Sequence, residues 1–150
     1  YILQKQRNNM DKTWTEEMIC TLFALQEGIS RLRDKDVEGY SSRGSGTVNL
    51  IESFYDIGES DNGLKPCMTI ISGSTQIIFT DKYKLQDVYF ESDEVFQGNT
   101  KIIAFNENND IYQKADHSNV RRLSEYFPGT IISLRFYLDS QFIAKRKAGK

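Results

Sequence analysis

The sequence predicts an all-β core with flanking helices, in which five strands close into a small barrel behind an amphipathic N-terminal helix. The first sign is the C-terminal stretch, where a short segment of helical spacing meets Pro128-Gly129 and a long β-prone run follows at 130–138. The turn Asp139-Ser140 then leads into a returning strand. A good supply of isoleucine, phenylalanine and tyrosine also favours strands. Apolar residues at helical spacing between positions 13 and 33 predict the helix.

The composition is typical of a single globular domain. A chain of 150 residues can bury a substantial core, and 39% apolar with 27% charged residues is an ordinary balance for such a domain. No apolar run approaches the roughly 18 residues that a membrane-spanning helix needs, so we expect no membrane partner. The chain begins at Tyr1 rather than at methionine, and we expect it to be a fragment of a longer protein.

Residues 1–46 are predicted to form a helix and a flexible linker that pack on the barrel. The polar residues 1–12 are expected to be a loosely held lead-in. Thr13 and Glu16 have the spacing of a capping box, so we expect an amphipathic helix from this point to about Arg33. The linker that follows is rich in glycine and serine and contains no phosphate-binding glycine motif.

Residues 47–150 are predicted to form the barrel, with an acidic insertion at 81–99 that holds a short strand at 87–91. A polar loop is expected at 107–118 and a short helix at 119–127. The expected barrel strands are residues 47–57, 66–72, 75–80, 101–106, 130–138 and 141–144. The second and third of these strands are expected to form a hairpin around Gly73-Ser74.

The sequence contains no arrangement that is typical of an enzyme. Cys20 and Cys67 lie far apart in apolar surroundings, so we expect two buried free thiols, and there is no Cys/His cluster for zinc. The single histidine, His117, is expected in an exposed loop. No carboxylate is followed two positions later by lysine, a pair that magnesium-dependent nucleases often use. We therefore expect no catalytic activity, no cofactor, no bound metal and no small-molecule substrate.

The net charge of -2 conceals an asymmetry along the chain. Residues 41–110 carry 5 Lys/Arg and 11 Asp/Glu, whereas residues 111–150 carry 8 Lys/Arg and 3 Asp/Glu. A basic C-terminal part is typical of a nucleic-acid-binding surface, but the domain as a whole is not basic. The charge distribution therefore leaves both nucleic acid and other protein subunits open as partners.

Two segments near the C-terminal end resemble a known family. The run Lys101-Ile-Ile-Ala-Phe-Asn106, followed by Val120-Arg-Arg-Leu-Ser-Glu-Tyr-Phe-Pro-Gly-Thr-Ile-Ile-Ser-Leu-Arg135, resembles the OB-folds of telomere-end-binding and protection-of-telomeres proteins. The stretch 104–107 together with Asp110 is similar to the replication protein A type of OB-fold. The resemblance implies an OB-type Greek-key barrel over residues 47–147. Thr130 and Ser133 stand where the family has Asp and Arg.

The resemblance implies a non-catalytic subunit of a telomere- or telomerase-associated complex in the nucleus, at chromosome ends. Such a subunit binds single-stranded DNA or scaffolds subunits that do. OB-folds stack bases on aromatic side chains and hold phosphates with Lys and Arg. The candidate nucleic-acid-binding residues are Phe54, Tyr55, Lys65, Phe105, Arg135, Tyr137, Phe142 and Lys145.

Two alternatives stay open at this point. Because side chains alternate between the two faces of a strand, each candidate aromatic residue can equally well pack in the core instead of stacking on a base. The alternative function is a protein–protein interaction module without nucleic-acid contact. The net negative charge, the acidic insertion and the uncharged Thr130 and Ser133 favour this second function.

Overall fold

The computed structural model describes residues 1–29, 45–57, 65–91, 93, 95–96 and 98–136. The elements in these residues are α1 (Ile2–Gln6), a 3-10 turn (Arg7–Asn9), α2 (Glu16–Phe23), α3 (Gly46–Ile57), β1 (Cys67–Phe79), β2 (Gln86–Phe90), β3 (Gly98–Ile102) and β4 (Val120–Arg135). The strands form two antiparallel sheets of two strands each, β1 with β4 and β2 with β3. The predicted five-stranded barrel of the OB type is therefore wrong.

The strand pairing explains why no barrel closes among the described residues. A closed barrel needs every strand to pair on both of its edges. Here β1 and β4 are long, with 13 and 16 residues, but within the described part of the chain each of them pairs only with the other. They form an extended two-stranded ribbon, and α2 packs on it, mainly against β1.

Residues 47–57, predicted as the first strand, form helix α3 instead. Val48, Ile51 and Phe54 are buried and recur every three residues, so one side of a helix faces the core. The strand was predicted from an imperfect alternation of apolar and polar residues in this segment. Tertiary packing decides such cases, because β-propensity depends strongly on context.

The predicted hairpin at Gly73-Ser74 is also wrong, because β1 runs through it without turning. Gly73 has a φ of +59°, and the register against β4 shifts on both sides of it. A positive φ at glycine with a register shift is typical of a β-bulge. Glu17 accepts hydrogen bonds from the Ser74 backbone N–H at 3.0 Å and from the Ser74 hydroxyl, which ties α2 to this bulge.

The short helix predicted at 119–127 forms the first half of β4. Val120 pairs with Ile77 and Arg122 with Thr75. The helical spacing of the apolar residues in this segment does not settle its conformation, because pairing with β1 satisfies its backbone groups just as well.

The N-terminal helix was predicted in the correct region, but it is shorter. Thr15, not Thr13, caps it by accepting a hydrogen bond from the Met18 N–H at 3.4 Å, while the Thr13 hydroxyl donates to Asp11 at 2.7 Å. Helix α2 ends at Phe23, and the predicted residues beyond 29 lie outside the described part of the chain. The expected apolar side is confirmed, since Met18, Ile19, Leu22 and Phe23 are buried.

The acidic insertion and the region after it agree better with the predictions. Strand β2 (Gln86–Phe90) lies within one residue of the predicted strand at 87–91. Strand β3 (Gly98–Ile102) overlaps only the start of the strand predicted at 101–106. Residues 107–118 contain no helix or strand, as expected.

Buried glutamines connect the N-terminal helices to the rest of the core. Gln6 donates to the Ile111 carbonyl at 2.9 Å and accepts from the Trp14 indole at 2.9 Å, so residues 1–12 are not the loose lead-in that we expected. Gln26 donates to the Ile103 carbonyl at 3.1 Å and accepts from the Ile103 N–H at 2.8 Å. Satisfied buried amides specify a unique packing, because leaving them unpaired would be costly.

Thr75 is the position where a substitution should stabilise the fold. Its side chain is fully buried in β1, and its hydroxyl has no hydrogen-bond partner among the residues that the structure describes. Because an unpaired buried hydroxyl is destabilising, we expect Thr75→Val to raise the free energy of unfolding by about 1 kcal/mol. Urea denaturation measures this change.

The control for Thr75→Val is Thr130→Val. The Thr130 side chain is exposed and its hydroxyl pairs with that of Ser72 at 3.1 Å, so its replacement should change stability by less than about 0.5 kcal/mol. A loss of stability in Thr75→Val would show that its hydroxyl has a partner after all.

Candidate functional site

At the end of the β1–β4 ribbon where Cys67 pairs with Arg135, the apolar face of the core extends from β1 onto β4. Met68 pairs with Leu134, and Ile70 with Ile132. Directly opposed residues of antiparallel strands lie on the same face of the sheet. Met68 and Ile70 are 0% and 2% exposed, but Leu134 and Ile132 are 38% and 44% exposed. The apolar face therefore continues beyond the helices onto β4.

The middle of β4 bulges outward and exposes two aromatic side chains. Phe127 pairs with Gly73 and Arg122 with Thr75, so residues 123–126 lie opposite Ser74 alone. Tyr126 and Phe127 are 70% and 38% exposed. The exposed apolar residues of the strand, Tyr126, Phe127, Ile131, Ile132 and Leu134, are called the β4 surface below. Ile132 and Leu134 share one face of the ribbon, and Ile131 lies on the other.

Strand β4 is also an edge strand in the described part of the chain, because β1 is the one strand that pairs with it there. An edge strand presents backbone N–H and C=O groups that can pair with another polypeptide. Pro128 lies in the middle of β4. Proline within a sheet is tolerated mainly on edge strands and at bulges, so its presence fits this position.

The charge on β4 is predominantly basic. Arg121, Arg122 and Arg135 are exposed, and Glu125 is the one acidic residue of the strand. The Arg121 guanidinium donates to the Gln76 side chain of β1 at 2.7 Å, which fixes its position along the ribbon. The β4 surface is thus apolar along its length and positive at both ends.

Two of the predicted nucleic-acid-binding residues lie in the core. Phe54 is 1% and Phe105 is 0% exposed. The Phe105 ring packs 5.1 Å from the Phe79 ring and 6.2 Å from the Tyr83 ring, measured between centroids. A base cannot stack on a ring that is enclosed in this way, and the core-packing alternative describes both residues.

Tyr55 and Lys65 lie near Asp81 rather than on β4. The half-buried Tyr55 hydroxyl donates to the Tyr83 carbonyl at 2.6 Å, and burial, followed by the Asp81 charge, raises the pKa of this phenol above its ordinary value. Lys65 is exposed and forms an ion pair with Asp81. The Tyr55 hydrogen bond joins α3 to the loop after β1, and the Lys65–Asp81 ion pair joins the start of β1 to the same loop.

Arg135 is the candidate that the structure places on the β4 surface strand. It pairs with Cys67, close to Lys65, so two candidate cations lie near the same end of the ribbon. Tyr137, Phe142 and Lys145 lie outside the described residues, as does the turn expected at Asp139-Ser140.

Sequence reasoning missed the residues that make up most of the β4 surface. It predicted a strand at 130–138 but assumed that alternate side chains pointed into a barrel. The available signal was the Ile131-Ile132 pair, because consecutive apolar residues in a strand place apolar side chains on both faces. Such a strand must be covered on two sides or remain exposed on one.

A second cluster joins Tyr1 and helix α1 to the region around Asp93. Its hydrogen bonds to the Asp93 carboxylate come from the side chains of Tyr1 (3.2 Å), Lys5 (3.2 Å) and Tyr112 (2.6 Å) and from the backbone N–H groups of Val95 (2.8 Å) and Phe96 (3.1 Å). The Lys5 ammonium also lies 4.1 Å from the centroid of the Tyr112 ring. The cluster is fully paired, so we interpret it as a structural clamp.

The charge state of Asp93 follows from this pairing. Burial disfavours the carboxylate, but the hydrogen bonds, led by that of Tyr112, outweigh burial and hold the pKa of Asp93 well below its usual range. Burial, followed by the Asp93 hydrogen bond, raises the pKa of the Tyr112 phenol. A carboxyl group with a lowered folded-state pKa stabilises the fold above its unfolded-state pKa and loses that contribution as the pH falls.

We therefore expect Asp93→Asn to lower the free energy of unfolding by about 1–2 kcal/mol at neutral pH. The difference from wild type should shrink as the pH falls below about 4, the ordinary pKa of an unfolded aspartate. Urea denaturation at several pH values measures both effects. Glu107→Gln, at an exposed loop position, is the control and should leave the stability at neutral pH close to that of the wild type. A constant difference down to pH 2 would contradict the assigned cause.

The residues considered for catalysis are not brought together. Cys20 is exposed and Cys67 partly buried, so the expectation of two buried thiols is wrong, although both are free. His117 is exposed in its loop, as expected. In the described ranges, no three His, Cys, Asp or Glu side chains are grouped so that they could hold a metal ion. No helix in those ranges is long and apolar enough to cross a membrane.

The comparisons with known proteins found no match, so the proposed function is inferred from the β4 surface. No protein-family model, no curated protein and no solved structure matches the chain.

Proposed function

We propose that this chain is a protein-interaction module whose β4 surface binds a partner polypeptide. The observation that carries the proposal is the continuity of the apolar face from Met68 and Ile70 in the core to the exposed Ile132 and Leu134. Contiguous exposed apolar residues on a folded domain mark interaction sites more often than isolated ones do.

The strand geometry supports a polypeptide as the ligand. A partner segment in the extended conformation can pair with the backbone of an edge strand while its side chains contact the apolar residues. Burying an aliphatic or aromatic side chain completely contributes about 1.5–3 kcal/mol. Burying the exposed parts of Ile132 and Leu134, which share one face, therefore adds to the backbone pairing in offsetting the cost of association.

A second candidate ligand is single-stranded nucleic acid bound along the same strand. Exposed Arg121 and Arg122 lie a few residues from the exposed rings of Tyr126 and Phe127, and cations beside aromatic rings suit a single strand. A telomeric repeat is the probe that the resemblance of residues 101–106 and 120–135 to telomere-end-binding proteins implies. The overall negative charge and the buried positions of Phe54 and Phe105 favour the polypeptide.

Site-directed photocrosslinking tests the polypeptide proposal. A photoreactive phenylalanine analogue replaces Tyr126 in one variant and the exposed loop residue Glu107 in a control, and both are irradiated in extract of the source cells. We expect protein adducts from position 126 alone, and we expect Ile132→Asp to abolish them without changing the circular dichroism spectrum. Equal adducts from both positions, or none from position 126, would reject the proposal.

The second candidate has a separate readout in the same system. A fluorescent single-stranded telomeric repeat is titrated with purified protein at two salt concentrations. If nucleic acid is the ligand, binding weakens steeply with salt and is lost in Arg121→Ala/Arg122→Ala, because phosphate contacts release counterions. Absence of binding at high micromolar protein leaves the polypeptide as the ligand.

A further inference from the structure

A serine in the first half of β4 follows two arginines at a spacing that protein kinases read. Ser124 comes three positions after Arg121 and two after Arg122. These two residues are the one Arg-Arg pair of the sequence, and no other serine or threonine follows an arginine by three positions. Arg-directed serine/threonine kinases hold arginines at these two places with carboxylates, so they select their substrates by charge pattern.

The bulge of β4 exposes Ser124 on the folded protein. The Ser124 side chain is exposed, and residues 123–126 lie opposite Ser74 alone in the pairing with β1. A bulge leaves its extra residues outside the regular ladder of hydrogen bonds that holds the rest of the strand. An enzyme can therefore reach the Ser124 hydroxyl without separating the paired parts of β4 from β1.

The two arginines are also displayed for recognition. They are adjacent in an extended strand, so their side chains lie on opposite faces of the ribbon, and both are exposed. The Arg121 guanidinium donates to Gln76 through Nε, which uses one of the N–H donors of that side chain and keeps the others for a carboxylate. The segment around Ser124 thus has the extended conformation and the cations that an Arg-directed kinase binds.

We propose that Ser124 is a phosphorylation site for an Arg-directed serine/threonine kinase, which uses Mg²⁺ and ATP as the phosphate donor. The Ser124 Oγ attacks the γ-phosphorus of ATP, and the bond from that phosphorus to the oxygen bridging to the β-phosphate breaks. The hydroxyl proton passes to the catalytic aspartate of the kinase, and ADP leaves with the bonding electron pair. The product is a phosphoserine on the bulge of β4.

The phosphate changes the charge beside the β4 surface. A phosphoserine adds a charge of about −1.5 to −2 at neutral pH. At position 124 it follows Arg121 and Arg122, whose positive charge it offsets, and it precedes the exposed Tyr126 by two positions. A hydrated dianion next to an apolar contact surface opposes the desolvation that binding requires. We therefore expect phosphorylation to weaken binding at the β4 surface, an effect that rests on the proposed function.

Phosphorylation of the purified, folded chain tests the site. The chain is incubated with an Arg-directed kinase, Mg²⁺ and ATP, and peptide mass spectrometry locates the phosphate. We expect it on Ser124, with none incorporated in Ser124→Ala and incorporation at least about tenfold slower in Arg121→Gln/Arg122→Gln. Ser133→Ala is the control, because Ser133 is an exposed serine of β4 that no arginine precedes by two or three positions. This variant should be phosphorylated like the wild type.

A synthetic peptide of residues 119–128 is the reference for the role of the fold, because it has the same local sequence without the ribbon. Similar rates for the peptide and the folded chain would support the site. Phosphorylation of the peptide alone would show that the ribbon hides Ser124 and would reject the site. Failure of both, or a phosphate on another residue of the chain in place of Ser124, would also overturn it.

The photocrosslinking assay separates the modification from its effect on binding. The variant with the photoreactive residue at position 126 is irradiated before and after phosphorylation of Ser124. We expect fewer protein adducts after phosphorylation and their recovery after phosphatase treatment. Equal adducts in both states would reject the effect on binding and retain the proposed function. Absence of adducts in both states would reject the proposed function, whereas the kinase assay decides the phosphorylation site independently.

Discussion

Phe105→Ala is expected to lower the free energy of unfolding by about 3–5 kcal/mol, enough to unfold much of a marginally stable domain. The Phe105 side chain is fully buried between Phe79 and Tyr83. Its backbone has a φ of 55°, which alanine would share, so the substitution changes packing and not backbone preference. Urea denaturation followed by circular dichroism measures the loss.

The matched control is Phe127→Ala on the β4 surface. Phe127 is 38% exposed, so its truncation should cost less than about 1 kcal/mol and should instead weaken whatever β4 binds. Near-wild-type stability in Phe105→Ala would contradict the packing described here and return Phe105 to the set of candidate stacking residues. The pair of variants thus separates a core aromatic residue from a surface one.

Gly73→Ala is expected to lower the free energy of unfolding by about 2–4 kcal/mol. A non-glycine residue in the left-handed region, where Gly73 has its φ of +59°, costs about 1–2 kcal/mol. A Cβ at this position would also overlap a Glu17 carboxylate oxygen, so the carboxylate must move away from Ser74. Losing those charge-assisted hydrogen bonds adds about 1–2 kcal/mol.

Gly98→Ala isolates the backbone part of this effect. Gly98 has a φ of +65°, but no atom of the described residues lies within 4 Å of its Cβ position, so about 1–2 kcal/mol is expected. Adding Glu17→Ala to Gly73→Ala should cost less than the sum of the two single substitutions, because the overlap is removed. Full additivity in this double-mutant cycle would show that Glu17 does not restrict residue 73.

Helices and strands were predicted best where the local spacing of apolar residues agrees with the side chains that the folded protein buries. Strand β2 alternates exposed and half-buried side chains between turn signals, and its predicted bounds are within one residue. The apolar side of α2 was predicted from spacing alone. In contrast, 47–57 contains both β-prone residues and helical spacing, and packing of Val48 and Phe54 against the core selects the helix.

The pairing of strands is the part that local pattern did not predict. Residues 119–127 have helical spacing, yet they pair with β1 because β1 needs a partner for its backbone groups. The barrel prediction assumed a turn at Gly73. A positive φ at glycine suits a turn and a bulge equally, and the hydrogen bond of the adjacent Ser74 to Glu17, 57 positions earlier, belongs to the bulge.

Local pattern in the sequence is enough to predict the amphipathic α2, the short strand β2, the long polar loop after β3 and the basic, apolar composition of β4. These features depend on residues that are close in the chain, whose spacing and charge can be read directly. The tertiary structure alone decided that β1 and β4 pair as an open ribbon, that Phe54 and Phe105 are buried, and that Ile132 and Leu134 remain exposed. Strand pairing and burial depend on residues distant in the chain, so local pattern cannot choose which apolar side chains the core encloses and which it leaves for a partner.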